Sequence, residues 1–207
     1  MSIILRFLLS LPFFLLAVIV HEYAHGLVAY KLGDPTAKHM GRLTLNPLAH
    51  IDLIGTIILP LLLLMVRAPF IFGWAKPVPI NFLSLKNPKR DMILVSIAGP
   101  FSNIALALML SIIIRTNIFG VNSLGYLFLA TAILINLVLA VFNIIPIPPL
   151  DGSKIVMGLL PPRYMRAYAS IEPYGFIILM GLLYIGLIDK VIWPVIVALS
   201  GFLGVQF

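Results

Sequence analysis

The chain has no cysteine at all. Disulfides and thiolate metal ligands are therefore excluded, and any metal site must draw on His, Asp or Glu. Charge is almost as scarce. Fourteen Lys and Arg and seven Asp and Glu amount to 10% of 207 residues, against about 25% in an ordinary soluble domain. Hydrophobic residues make up 61%, and mean hydropathy is +1.12. So few charges cannot clothe a surface that faces water, and the bulk solvent must be lipid. A cytosolic enzyme, a secreted domain and an intrinsically disordered chain are excluded on that ground. The net charge of +7 does not point to nucleic acid. The basic residues are scattered between apolar runs, where they set membrane topology. The expected partner is the lipid bilayer, and no nucleic-acid partner is expected.

What is present is a series of apolar runs separated by short polar breaks. The first, about Ile3 to Tyr30, is interrupted by Arg6 and by His21, Glu22 and His25. It lacks a small-residue cleavage pattern, which predicts a retained membrane helix rather than a signal peptide. Its stop is Lys31-Leu32-Gly33-Asp34-Pro35. Residues 36–51 are polar and turn-rich, with Thr44-Leu45 as a candidate short strand. The run 52–66 is apolar but interrupted by Pro60, and it is shorter than the roughly 20 residues of a perpendicular span. Residues 67–91 carry Arg67, Lys76, Lys86, Lys89 and Arg90 against the single acid Asp91.

Apolar runs 92–115 and 124–142 follow, joined by the uncharged link 116–123. A proline-dense break at 143–152 precedes a short helix expected over 153–160, ended by Pro161-Pro162. Basic Arg163 and Arg166 come next, then an apolar run over 174–188, a stop at Asp189-Lys190 and an apolar tail over 191–207. No internal repeat interrupts this order, so residues 1–207 are expected to form one membrane domain. Basic loops belong in the cytoplasm. If loops 31–51 and 67–91 both lie there, segment 52–66 cannot cross and is expected to be re-entrant. The first helix then runs from outside to inside.

Chemistry concentrates in His21-Glu22-Tyr23-Ala24-His25, an H-E-x-x-H motif inside a helical run. Residues i and i+4 share one helix face, so two imidazoles can reach a single zinc ion, and Glu22 can take a proton from an activated water. His21 lies ten residues before Lys31, about 15 Å inside that end at about 1.5 Å per residue. The chemistry is therefore expected within the bilayer. A buried polar cluster that merely bonds helices together is the bland alternative.

A catalytic zinc normally takes three protein ligands. His39 and His50 lie in a polar loop with ordinary surface readings. Asp151 is the stronger third ligand, because it sits in a break between apolar segments beside Gly152, and acids at membrane depth are functional by default. The competing reading of Asp151 is a helix N-cap. An ion pathway in a transporter is an alternative use of the same polar residues, although it has no special need for Glu22 between two ligating histidines.

H-E-x-x-H on a membrane helix followed far downstream by Asn143, Pro146, Pro148, Leu150, Asp151 and Gly152 resembles the signature of the site-2 proteases, intramembrane zinc metalloproteases. GRLTLNPLAHID (41–52), GWAKPVP (73–79), AGPFSN (98–103) and EPYGF (172–176) also look like this family, in its compact branch without a PDZ domain. The resemblance implies an all-α polytopic membrane protein of about four to six membrane segments, with a minor β element near the active site. It implies one zinc per chain, held by His21, His25 and Asp151, with Glu22 as general base.

Asn143 matches a family position near the metal that helps hold the scissile carbonyl or its oxyanion. Satisfying the carbonyls of a broken helix is an equal alternative for its amide. Gly73, Trp74, Ala75 and Lys76 match a membrane-associated strand that would bind unwound substrate, against a plain turn anchored by an interfacial Trp. For AGPFSN the default reading is close helix packing by small residues, with Asn103 facing the active-site cavity as the alternative. The implied activity is regulated proteolysis of single-pass membrane proteins or membrane-retained fragments with unwindable segments. The implied location is a prokaryotic cell membrane, with the site open to the cytoplasm. A catalytically silent relative that only binds membrane proteins is opposed by the intact His21, Glu22, His25 and Asp151.

Overall fold

The computed structural model describes residues 3–66, 73–121 and 123–205, with side chains from residue 9 onward. Arg67 and the side chain of Arg6 lie outside what it describes. The protein is an all-α integral membrane protein. Among the described residues, Leu9–Lys31, Pro88–Arg115, Leu124–Asn143 and Pro162–Tyr184 are long and apolar enough to cross a membrane.

Helix α1 (Ile3–Lys31), α4 (Pro88–Arg115) and α5 (Leu124–Asn143) form the central bundle, with α4 packed against both of the others. The ends of these helices follow local chemistry. Pro88 opens α4 where its missing N–H costs nothing, and Asp91 Oδ2 accepts from Asn87 N at 2.8 Å. Ser123 Oγ caps α5 by accepting from Tyr126 N at 3.1 Å. Small residues line the contacts, with Ala17, Ala29, Ala107 and Ala140 all essentially buried. In lipid there is no hydrophobic drive between helices, so close backbone approach supplies the attraction. The outer faces keep large apolar side chains exposed, among them Leu108, Met109 and Ile112, as lipid contact requires.

Between α1 and α4, α2 (Thr36–His39) is followed by a π-helical turn, Leu53–Ile58, continuous with α3 (Leu59–Met65). The apolar helix Leu53–Met65 is about 20 Å long at about 1.5 Å per residue, too short for a core of roughly 30 Å. After α5 the chain breaks, then forms α6 (Asp151–Leu159), α7 (Pro162–Ala169), α8 (Gly175–Tyr184) and α9 (Trp193–Leu203). Helix α6 packs on α4, close enough that a Cβ at Gly158 would lie 2.8 Å from Lys89 O. The apolar tail has a definite role: Ile192, Ile196 and Leu203 join Ile114, Ile133 and Leu137 in one buried cluster. Arg115 Nη2 donates to Phe202 O at 2.7 Å, capping the C-terminus of α9.

Two local expectations change. The helix expected over 153–160 begins two residues earlier, at Asp151. The β element does not form: among the described residues there is no strand, and Thr44-Leu45 lies in irregular backbone. Residues 73–81 have no regular structure; Trp74 N donates to Gly55 O of the π-helical turn (3.1 Å) and Lys76 N to His50 O (2.9 Å). Pro77 and Pro79 have no N–H to give, so a regular ladder cannot propagate.

Candidate metal centre

The helical repeat of α1 puts His21 and His25 one turn apart, with Nε2 atoms 3.0 Å from each other. Both Nε2 atoms lie 3.1 Å from Asp151 Oδ2. One ligand atom from each of the three residues falls within 4.8 Å of the other two. The two imidazoles are buried, while the Asp151 side chain is 21% exposed.

Each imidazole is held from behind. His21 Nδ1 is 2.6 Å from Asn103 Oδ1, and His25 Nδ1 donates to Val95 O at 2.7 Å. A backbone carbonyl only accepts, so His25 carries a proton on Nδ1 and turns Nε2 towards Asp151 and His21. The bundle also approaches the centre closely. A Cβ at Gly99 of α4 would overlap Nε2 of both histidines, so only glycine fits there without moving them.

Asp151 reaches the centre because the chain breaks after α5. Ile144–Leu150 form consecutive turns, and Gly152 nests against Ile144 O and Ile145 O where a Cβ would collide. Its carboxylate does not cap α6, whose N-cap is Leu150 without a side-chain bond. It faces the imidazoles instead. Burial alone pushes the Asp151 carboxyl up, but the charge and hydrogen bonds of His25 and His21 outweigh that and hold it below the usual carboxylate range.

A cavity of about 270 Å³ opens over this cluster, with Glu22, Asn143, Val78, Ile80 and Lys154 among its lining residues. Glu22 Oε2 accepts from Val78 N at 2.7 Å, which orients the carboxylate beside the two histidines. Asn143 reaches the cavity, but its amide nitrogen donates to Leu139 O at 2.9 Å, one turn back in α5. Gly73, Trp74, Ala75 and Lys76 do not line the cavity; Pro77, Val78 and Ile80 do. The earlier stretch is an anchor. Thr56 Oγ1 donates to Trp74 O (2.8 Å) and Arg42 Nη2 to Lys76 O (2.9 Å).

His39 is exposed at the end of α2. His50 is not a surface residue: it is buried, with Nε2 bonded to Thr44 O at 2.8 Å. Asn103 neither faces the cavity nor serves only packing, since it bonds His21. The sequence alone did not single out Asn136, although an amide in the interior of so apolar a helix as α5 is a signal for it.

Residues 121–185 match Peptidase family M50. "Putative zinc metalloprotease YwhC" of Bacillus subtilis (strain 168) is 41% identical over 197 residues, covering 90% of this chain and 86% of that protein. The chain belongs to peptidase family M50. A second relative, "Putative zinc metalloprotease Rip2" of Mycolicibacterium smegmatis, is 27% identical across 97% of this chain and 76% of its own length. "Zinc metalloprotease MJ0392" of Methanocaldococcus jannaschii is 29% identical over 62% of this chain and 39% of that protein. No solved structure matches.

Membership of M50, the site-2 protease family, makes the protein a membrane zinc metalloprotease with Zn2+ as cofactor. The transporter reading falls away. The cluster fits that ion. Tetrahedral zinc with bonds of about 2.0–2.1 Å spaces its ligands by roughly 3.3 Å, close to the separations found here. Two nitrogen donors and one carboxylate, with both Nδ1 atoms already engaged, are a donor set zinc takes in catalytic sites.

Proposed function

We propose that this M50 protein is an intramembrane endopeptidase that cuts membrane segments of single-pass proteins or membrane-retained fragments. His21, His25 and Asp151 would hold one zinc ion, and residues 1–207 would act as one proteolytic domain. The observation that carries this reading is the convergence of the three ligand atoms within 4.8 Å beside Glu22, midway along a membrane helix. Zinc, when bound, would acidify a water molecule and polarise a peptide carbonyl.

The chain's own residues supply the rest. Glu22 accepts the proton of the attacking water and returns it to the departing amine. Val78 N–H fixes one carboxylate oxygen, leaving the other for proton transfer. A helix ties up its carbonyls in internal hydrogen bonds, so the scissile segment would enter unwound. Pro77, Val78 and Ile80 are positioned to meet it, with Gly73–Lys76 anchoring that stretch from behind. The Asn143 side chain lies on the cavity wall, where a rotation away from Leu139 O would offer its amide to a scissile carbonyl. The basic character of loops 31–51 and 67–91 favours a cavity mouth on the cytoplasmic side.

Glu22→Gln tests the assignment. Purified variant and wild type should hold equal zinc, while cleavage of a membrane substrate falls by about 100-fold to 10,000-fold, the usual worth of general-base catalysis. Undiminished cleavage would remove Glu22 from the mechanism.

A further inference from the structure

Behind the ligand cluster runs a polar chain that proton transfer does not use. Asn103 of α4 is fully buried, and its Oδ1 sits 2.6 Å from His21 Nδ1. Its amide nitrogen donates to Ala17 O at 3.0 Å and to Asn136 Oδ1 at 2.9 Å. Asn136, also buried, donates in turn to Ala132 O at 2.8 Å. Every polar atom of Asn103 is thus engaged, as buried amides in an apolar bundle must be.

Two of these partners are backbone carbonyls, which only accept. Ala132 O forces the Asn136 nitrogen towards itself and its oxygen towards Asn103. Ala17 O and Asn136 Oδ1 together force the Asn103 nitrogen away from His21. The oxygen of Asn103 therefore faces His21 and can only accept. His21 must carry a proton on Nδ1, and its Nε2 lone pair points at Asp151 and His25.

We propose that Asn103 and Asn136 are positioning residues of the metal site. They form a two-amide relay from α5 through α4 to α1 that holds His21 in its Nδ1–H form with Nε2 offered to zinc. This rests on His21 being a ligand and deepens that reading. Asn136 is the informative member, because it touches neither a ligand nor the cavity and acts only through Asn103. An aspartic acid at 136 preserves the relay, since a buried neutral carboxyl donates to Ala132 O and still accepts from Asn103.

The test is zinc affinity of the purified full chain in detergent, by competition with a chromophoric chelator. Asn103→Ala should weaken binding about 10–100-fold, as loss of a ligand's supporting partner does. Asn136→Leu should weaken it about 2–10-fold, the worth of one neutral hydrogen bond. Asn136→Asp should return to the wild-type value. Ser111→Ala, which removes a buried hydroxyl bonded to Leu108 O within α4, should not change it. Folded Asn103 and Asn136 variants with wild-type affinity would reduce the amides to interhelical glue and overturn the proposal. A second measurement needs no variant: in zinc-loaded wild type labelled with 15N-histidine, His21 Nδ1 should be protonated and Nε2 metal-bound. The reverse assignment overturns the relay. Wild-type protein that binds no zinc would instead bring down the ligand assignment itself.

Discussion

Gly99→Ala is the smallest change that reaches the proposed metal site without touching a ligand. A methyl group there would overlap Nε2 of both His21 and His25, and it would lie 2.7 Å from His21 Cε1. Ordinary carbon contacts need about 3.5 Å, so α4 and α1 must separate by roughly 1 Å or the imidazoles must rotate. Either response pulls Nε2 away from Asp151. Overpacking of this kind costs about 1–3 kcal/mol. Charged to the metal-bound state, that is a loss of about 5-fold to 150-fold in zinc affinity at about 1.4 kcal/mol per factor of ten. Helix propensity works the other way, since Ala in a helix is favoured over Gly by about 1 kcal/mol, so weaker zinc binding isolates the steric effect. Chelator competition on detergent-purified protein measures it directly. Gly181→Ala and Gly201→Ala are the controls, because a Cβ at either meets nothing within 4 Å. If Gly99→Ala binds zinc and cleaves substrate like wild type while the controls behave, the Nε2 atoms are not the metal-facing atoms and the site as drawn is wrong.

Three further outcomes are expected. Val78→Pro deletes the N–H that holds Glu22 Oε2; a hydrogen bond to a charged group is worth about 1.5–3 kcal/mol, so kcat should drop at least about tenfold with zinc content intact, and an unchanged kcat would make that contact irrelevant. Arg115→Ala uncaps α9 and should lower stability by about 1 kcal/mol in thermal unfolding without altering cleavage, whereas a cleavage defect in stable protein would give the tail a part in the reaction. The absence of cysteine makes topology mapping clean: a lone Cys at Lys38 should react with an impermeant maleimide only from the cytoplasmic side and one at Val121 only from outside, and the opposite pattern would invert the proposed orientation.

Most of the scaffold was legible because a lipid solvent leaves few options. Long apolar runs bounded by Lys31, Arg115 and the 143–152 break became α1, α4 and α5 with ends close to those expected. The failed strand was misread for a local reason. Period and composition around 73–79 suit extended backbone, but Pro77 and Pro79 remove donors a ladder needs, and Gly55 O of the π-helical turn and His50 O take Trp74 N and Lys76 N instead. His50 was misplaced because polarity of the surrounding residues says nothing about a single side chain folded under its own loop.

By itself the sequence determined the solvent, the long apolar runs that became α1, α4 and α5, and the three residues whose ligand atoms converge. Helical periodicity joins His21 to His25, and the cost of acids in an apolar chain singles out Asp151. Only the tertiary structure decided what stands behind them. Asn103, Asn136 and Gly99 bear on His21 through contacts between α1, α4 and α5, at separations of up to 86 residues along the chain. No local pattern encodes which carbonyl faces which amide across a helix interface. That geometry, rather than the motif, is what selects the nitrogen of His21 that is free to meet a metal.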